Sequence, residues 1–258
     1  MEEKIAITYP YEFLNKIENL YILHYITMRY KHMIGRGGAW TLYEPSKFIY
    51  AYFAFNSFYN IDWEKSIKEK EITTFEVEKK SIKCPNCKNE FEMDEDEISQ
   101  GKMYKAMIDF IFQRVIKPEE PFLEIITERG TYSKQKIIDT ISQLIPIDEN
   151  TELDKKNTNP RIKESDKRKF VKGIEKILNN EQITVGTLKN DVIRFINLVR
   201  NNIFHGSKRT IEMSEDFQRK RLNIYSNILI AVNVLLFKVL GQVTGFKPQE
   251  KYSLPFEL

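Results

Sequence analysis

Apolar residues recur along most of this chain at helical spacing. From Tyr11 to Met33 they fall at Phe13, Leu14, Ile17, Leu20, Tyr21, Tyr25 and Met28, which predicts an amphipathic helix. Gly35-Arg36-Gly37-Gly38 breaks the pattern, and Pro45 suits the first turn of a second helix that runs through to Tyr59. Aromatic residues on nearly every side of this segment predict a helix buried all round. Further helices are expected from Ser99, as an N-cap, to Lys117, and from about Ser133 to Ile145. Three more follow at Lys167 to Asn179, Thr187 to His205 and Ser214 to Leu240.

Between residues 69 and 98 the pattern changes. Glu71 to Glu78 alternates and is β-branched, so a short strand is expected. Cys84-Pro-Asn-Cys87 and the acidic stretch Glu90 to Glu97 follow, and the whole reads as a small Cys-containing insertion between helices. Residues 148–166 hold almost nothing apolar apart from Leu153 and Ile162, as in a polar linker or long loop. No repeat of fixed period is present. The expectation is an all-α bundle forming one domain over 1–258, because the aromatic helix needs the C-terminal pair of helices to complete a core.

Composition narrows this only a little. Of 258 residues, 41% are hydrophobic and 30% charged, the profile of a soluble globular protein with a sizeable core. Forty Lys and Arg against 37 Asp and Glu leave a net charge of +3, so any nucleic-acid footprint must be local. Met1-Glu2-Glu3-Lys4 lacks the basic, apolar character of a secretory leader. The apolar stretch Ile228 to Leu240 is interrupted by Asn233 and Lys238 and is shorter than the ~20 residues of a bilayer span, so it reads as a core helix. A single Cys-x-x-Cys is no disulfide framework. A cytoplasmic location with no membrane partner is expected.

The chemistry concentrates near the end of the Thr187–His205 helix. On a helical wheel Leu188, Val192, Phe195, Ile196, Val199 and Ile203 form one stripe, the expected core face. Asn201 and His205, four residues apart, stack on the opposite face, with Arg200 on its flank. These three should look away from the core, towards solvent or a second copy of the helix. Gly206 suits the left-handed terminator. The helix dipole raises the His205 pKa and Arg200 lowers it, and spacing alone leaves the balance open. Lys189, Arg194, Arg200, Lys208 and Arg209 stand against Asp191 alone, a basic footprint in which Arg194, Lys208 and Arg209 are candidate substrate-binding residues. Arginine holds phosphate bidentately, and histidine exchanges protons near neutrality.

Arg200-Asn201-x-x-x-His205 before a glycine, on the penultimate long helix of a helical chain, resembles the signature of the HEPN superfamily: Arg, four to six residues, then His, often with a polar residue after the Arg. Phe55-Asn56-Ser57-Phe58-Tyr59 resembles the Phe-Asn-x-x-Tyr element that precedes the motif in several members. The resemblance covers the helical parts and leaves the Cys insertion aside. It implies a HEPN-like bundle that dimerises with two motifs facing one cleft. It also implies metal-independent endoribonuclease activity of the kind found in toxins and antiviral effectors. Arg200, Asn201 and His205 are then the catalytic candidates: His205 moves protons, Arg200 neutralises the phosphorane, and Asn201 orients substrate or His205. Some members carry a tyrosine two residues after the histidine, where a partner enzyme modifies them. Ser207 stands there in this chain, so that mode of control does not carry over.

Other features have plainer readings. Cys84 and Cys87 form half of a zinc knuckle, and zinc shared between two protomers stands beside a degenerate, metal-free pair. His24 and His32 read as satisfied histidines, Gly35 to Gly38 as an interhelical turn, and Asp94 to Glu97 as a solvated face. Asn56 reads as structural before catalytic. RNA, a second copy of the chain and an antitoxin or activator protein are the expected partners. The alternative is a catalytically silent HEPN-like module that binds RNA, nucleotide or protein. A purely helical adaptor, dimerising through the Asn201 face, is the third.

Overall fold

The structure is a computed structural model that describes residues 8–33, 43–75, 79–83, 90–94, 96–115, 117–142, 162–204 and 213–252. Its helices are α1 (Tyr11–Met33), α2 (Tyr43–Tyr59), α3 (Trp63–Glu69), α4 (Asp96–Phe112), α5 (Glu119–Ile126), α6 (Lys134–Ser142), α7 (Glu164–Leu178), α8 (Arg194–Phe204) and α9 (Asp216–Thr244). A π-helical segment, Thr187–Ile193, leads directly into α8. The chain is mostly helical, as the periodicity predicts. The one sheet among the described residues is an antiparallel hairpin of β1 (Lys79–Lys83) and β2 (Glu90–Asp94), in which Lys83 lies opposite Glu90.

The core is organised around α9. Leu222, Ile228, Leu229, Ala231, Leu235, Leu236, Phe237 and Val239 point in different directions, and all are buried. This helix alone among the described residues is long and apolar enough to cross a bilayer, and its apolar stretch lies inside the bundle. The helix α2 packs along it in parallel: Phe48 meets Tyr225 at 6.3 Å near one end, and Phe58 meets Phe237 edge-on at 5.3 Å near the other. Tyr21 of α1 also packs edge-on against Phe237, at 5.0 Å. Tyr225 joins four helices, because Phe170 of α7 and Phe195 of α8 both reach its ring, at 5.6 and 5.9 Å. Edge-on aromatic contacts add to the burial of apolar area in fixing such geometry.

Polar groups tie the leading ends of α2 and α9 together. Lys47, buried in the bundle, donates to Asn223 Oδ1 and Asn227 Oδ1, both at 2.7 Å. Both amides donate in turn to Glu128 Oε1, at 2.7 and 3.1 Å. Glu44 accepts two hydrogen bonds from Arg219, at 2.7 and 2.9 Å, in the bidentate arrangement that gives an ion pair direction.

Several expectations shift. The strand expected at 71–78 is not formed by its described part. Asp62 N donates to Thr73 O and Phe75 N to Asn60 O, so the α2–α3 corner takes this segment's hydrogen bonds. The hairpin forms further on instead. The helix expected to start after Ser99 already begins at Asp96 and ends at Phe112, before Lys117. Ser133 does cap α6, its Oγ accepting from Lys136 N at 3.2 Å. Glu164 to Asp166, at the end of the expected linker, form the first turn of α7. Nor is α2 buried all round: Tyr50 and Phe53 are 38% and 46% exposed. His24 is fully buried between Tyr21 and Phe237, and its Nδ1 has no hydrogen-bond partner, so it is not the satisfied histidine expected.

Two predictions follow from the core. Gly173 on α7 gives Val192 room, since an added Cβ would meet Val192 Cγ2 at 3.0 Å. Gly173→Leu should therefore destabilise the protein by about 2 kcal/mol in urea unfolding, overpacking outweighing the helix propensity gained. Burial holds the His24 pKa down near 3, from an ordinary 6.5. The unfolded chain takes up this proton and the folded chain does not, so stability present above about pH 6.5 is lost as pH falls towards 3. Between pH 7 and 5 the wild type should lose about 2 kcal/mol more than His24→Phe, measured by urea midpoints at each pH.

Candidate active site

The stripe expected on the core side of the Arg200 helix is there. Leu188, Val192, Phe195, Ile196 and Val199 are buried, and Ile203 packs against the core. The helix is not uniform, however. Thr187–Ile193 is wound as a π-helix, a form that recurs at functional sites, before α8 proper begins at Arg194.

Arg200 does not look away from its own bundle. Its guanidinium lies over the ring of Tyr52 on α2, with Cζ 5.1 Å from the ring centroid. Its Nη1 donates to Asn201 Oδ1 at 2.8 Å. Both residues are half-buried. The sequence placed them on the outer face because a wheel drawn for one helix cannot show that α2 closes over its flank. Arg194 is exposed at the start of α8. His205, Gly206, Lys208 and Arg209 lie outside the described residues, His205 directly after the last residue of α8. Cys84 and Cys87, the Gly35–Gly38 turn and the side chain of His32 lie outside them too.

Around Arg200 stands a polar lining that the wheel did not reveal. Tyr52, Asn56 and Tyr59 recur at one-turn intervals along α2 and so share a face. The Tyr52 hydroxyl donates to Asn197 Oδ1 of α8 at 2.8 Å and lies 3.4 Å from the Tyr104 hydroxyl of α4. The Tyr59 ring meets that of Tyr104 at 4.3 Å, edge-on, and its hydroxyl donates to Asn56 Oδ1. Asn56 is thus a hydrogen-bond acceptor within this network. Three elements meet here, and the two segments behind the family resemblance, Phe55–Tyr59 and Arg200–Asn201, belong to one cluster.

Tyr59 and Tyr104 are neutral throughout the working pH range. Burial above all, and then the Tyr52 hydroxyl, push the Tyr59 pKa up to about 12, with the Tyr104 hydrogen bond and the Arg200 charge pulling it back. Tyr104 is raised further, by burial first and then by Tyr52 and Tyr59. The Tyr52 ring offers the Arg200 guanidinium the negative face of its quadrupole. Asn56 and Tyr59 were legible in the sequence. Asn197 had a signal too, one turn before Arg200 and Asn201 on the same helix. Tyr52 had none beyond the aromatic run of α2, and Tyr104, on α4, had none.

Among the described residues no group of three or more His, Cys, Asp or Glu is placed to hold a metal ion. Compared with models of known protein families, with curated proteins and with solved structures, the chain matches none.

Proposed function

We propose that the protein is a metal-independent endoribonuclease of HEPN type, cutting single-stranded RNA as a homodimer in a cytoplasmic toxin or antiviral defence setting. One observation carries the reading. Arg200, the residue suited to a phosphate, is held on the Tyr52–Asn56–Tyr59 face of α2, so the two segments that resemble the superfamily stand together.

In this reading the ribose 2′-OH attacks the adjacent phosphorus while His205 accepts its proton. Negative charge builds on the phosphorane oxygens, and Arg200 neutralises it. The P–O5′ bond breaks and the leaving oxygen takes a proton from the protonated His205, leaving a 2′,3′-cyclic phosphate and a 5′-OH end. Asn201, accepting from Arg200 Nη1, orients the guanidinium. DNA, which lacks the 2′-OH, is not a substrate. Arg194, Lys208 and Arg209 supply backbone contacts, and an antitoxin or activator protein gates the site.

A second reading has its own observation. Arg200 is engaged by Tyr52 and Asn201 of the same chain, as an arginine serving only to pack α8 on α2 would be. The protein would then be a silent HEPN-like module that binds RNA, a nucleotide or another protein.

Cleavage of labelled single-stranded RNA in EDTA separates the two. The enzyme reading expects cyclic-phosphate ends from wild type. It also expects loss on the order of 10²- to 10³-fold in Arg200→Ala and up to about 10⁴-fold in His205→Ala, with folds checked by circular dichroism. Intact RNA across a broad substrate panel favours the silent module or an enzyme awaiting its activator, and equal cleavage by all three proteins moves the site elsewhere.

Zinc at Cys84 and Cys87 belongs to the same proposal. Lys83 opposite Glu90 brings together the two ends of the segment holding the pair, as a knuckle requires. Two thiolates are half of a tetrahedral set, so a second copy of the chain would supply the rest. Metal analysis should find about one zinc for every two chains, lost in Cys84→Ser, with RNA cleavage in EDTA unchanged.

A further inference from the structure

An arginine that stabilises a transition state must be aimed before the charge develops, because reorienting it during the reaction forfeits most of its effect. Left in water, its long side chain samples many rotamers. In this structure contacts within its own chain restrict Arg200. Asn201 takes one Nη1 hydrogen, and the Tyr52 ring lies under the guanidinium.

Tyr52 is itself held. Its ring is 3% exposed, with Phe55 at 6.2 Å and Phe48 at 6.5 Å on its own helix. Its hydroxyl is bonded to Asn197 and lies beside the Tyr104 hydroxyl, so α8 and α4 both fix the ring's far end. The Asn197 bond has a consequence for Arg200. Asn197 lies one turn before Arg200 and Asn201 on α8, so the same face of α8 that grips the Tyr52 hydroxyl also carries the guanidinium. The phenol is gripped at its tip and offers its face to the cation.

We propose that Tyr52 is a positioning residue: its ring, held through its hydroxyl by Asn197 and Tyr104, fixes the Arg200 guanidinium in the orientation that meets the scissile phosphate. The proposal rests on the ribonuclease reading and extends it to residues that the motif does not contain. It separates two parts of Tyr52. The face acts on Arg200, and the hydroxyl keeps the face in place.

The test is a substitution series read as kcat and KM on single-stranded RNA, with fold verified by unfolding curves. Tyr52→Leu removes the face and should lower kcat on the order of 10- to 100-fold, with KM changed less than about 3-fold. Tyr52→Trp restores an aromatic face and should recover part of that loss. Tyr52→Phe keeps the face and frees its tip, and should fall between wild type and Leu. Asn197→Ala, at a half-buried position, removes the shorter hydroxyl contact and leaves that with Tyr104, so it should lower kcat, though by no more than Tyr52→Phe does, which keeps the test alive if the Leu protein does not fold.

Wild-type kcat in a folded Tyr52→Leu protein, or in Asn197→Ala where the Leu protein does not fold, would overturn the proposal, as would equal losses in Tyr52→Leu, Tyr52→Phe and Tyr52→Trp. If Arg200→Ala abolishes cleavage while Tyr52→Leu keeps it, only the role of Tyr52 falls. If Arg200→Ala cleaves like wild type, the ribonuclease reading falls and the proposal with it.

Discussion

A helix that is apolar around its whole circumference cannot be left facing water, and α9 is such a helix. Its demand for cover on every side organises the rest of the chain. The parallel run of α2 beside it, from Phe48 on Tyr225 to Phe58 on Phe237, supplies the longest contact. Tyr21 of α1 and Phe170 and Phe195 of α7 and α8 close other sides. Hydrophobic burial gives no direction by itself. The Lys47–Asn223–Asn227–Glu128 network and the Glu44–Arg219 pair add it, since buried polar groups are costly unless every partner is in place. They fix α2 and α9 in one relative register, and all that α2 carries on its other sides is placed as a consequence.

One of those sides is the Tyr52–Asn56–Tyr59 face. Once α2 has given its apolar faces to α9, this stripe turns towards α4 and α8. Phenol hydroxyls taken from water need partners, and they find Asn197, Tyr104 and Asn56. Arg200 comes to rest on Tyr52 in the same region. Its partial burial is thus a product of how α2 is docked, and the geometry of the candidate site depends on packing nearly the length of a helix away.

Much of this was legible in the chain. The extent of α1 and the core stripe of α8 follow from period alone, because each residue's environment repeats with the helix turn. The Phe55–Tyr59 and Arg200–Asn201 segments were both singled out, but their proximity was not, since they lie far apart in sequence and nothing local links them. Buried hydroxyl pairs such as Tyr52 with Tyr104 are long-range in the same way. The strand expected at 71–78 failed for a related reason. Alternation marks a segment that wants an extended partner, and at Thr73 and Phe75 the α2–α3 corner, not a second strand, supplies it. The aromatic run of α2 misled in the opposite sense, because Tyr50 and Phe53 carry polar or adaptable edges that tolerate water.

On the ribonuclease reading, the two named residues of the motif face unequal demands. Charge stabilisation depends on a cation fixed in advance, so Arg200 belongs where several elements meet. Proton transfer depends on reach and on a pKa near the working pH, and His205 is the residue that follows Phe204 in sequence. A histidine drawn into the core would be useless for this purpose. His24 shows why: burial holds its pKa near 3, where it carries no proton at any ordinary pH. The same bundle thus holds a histidine silenced by burial. Tight packing suits the arginine of such a site and would disable its histidine, which is a physical reason for setting the two apart along the motif.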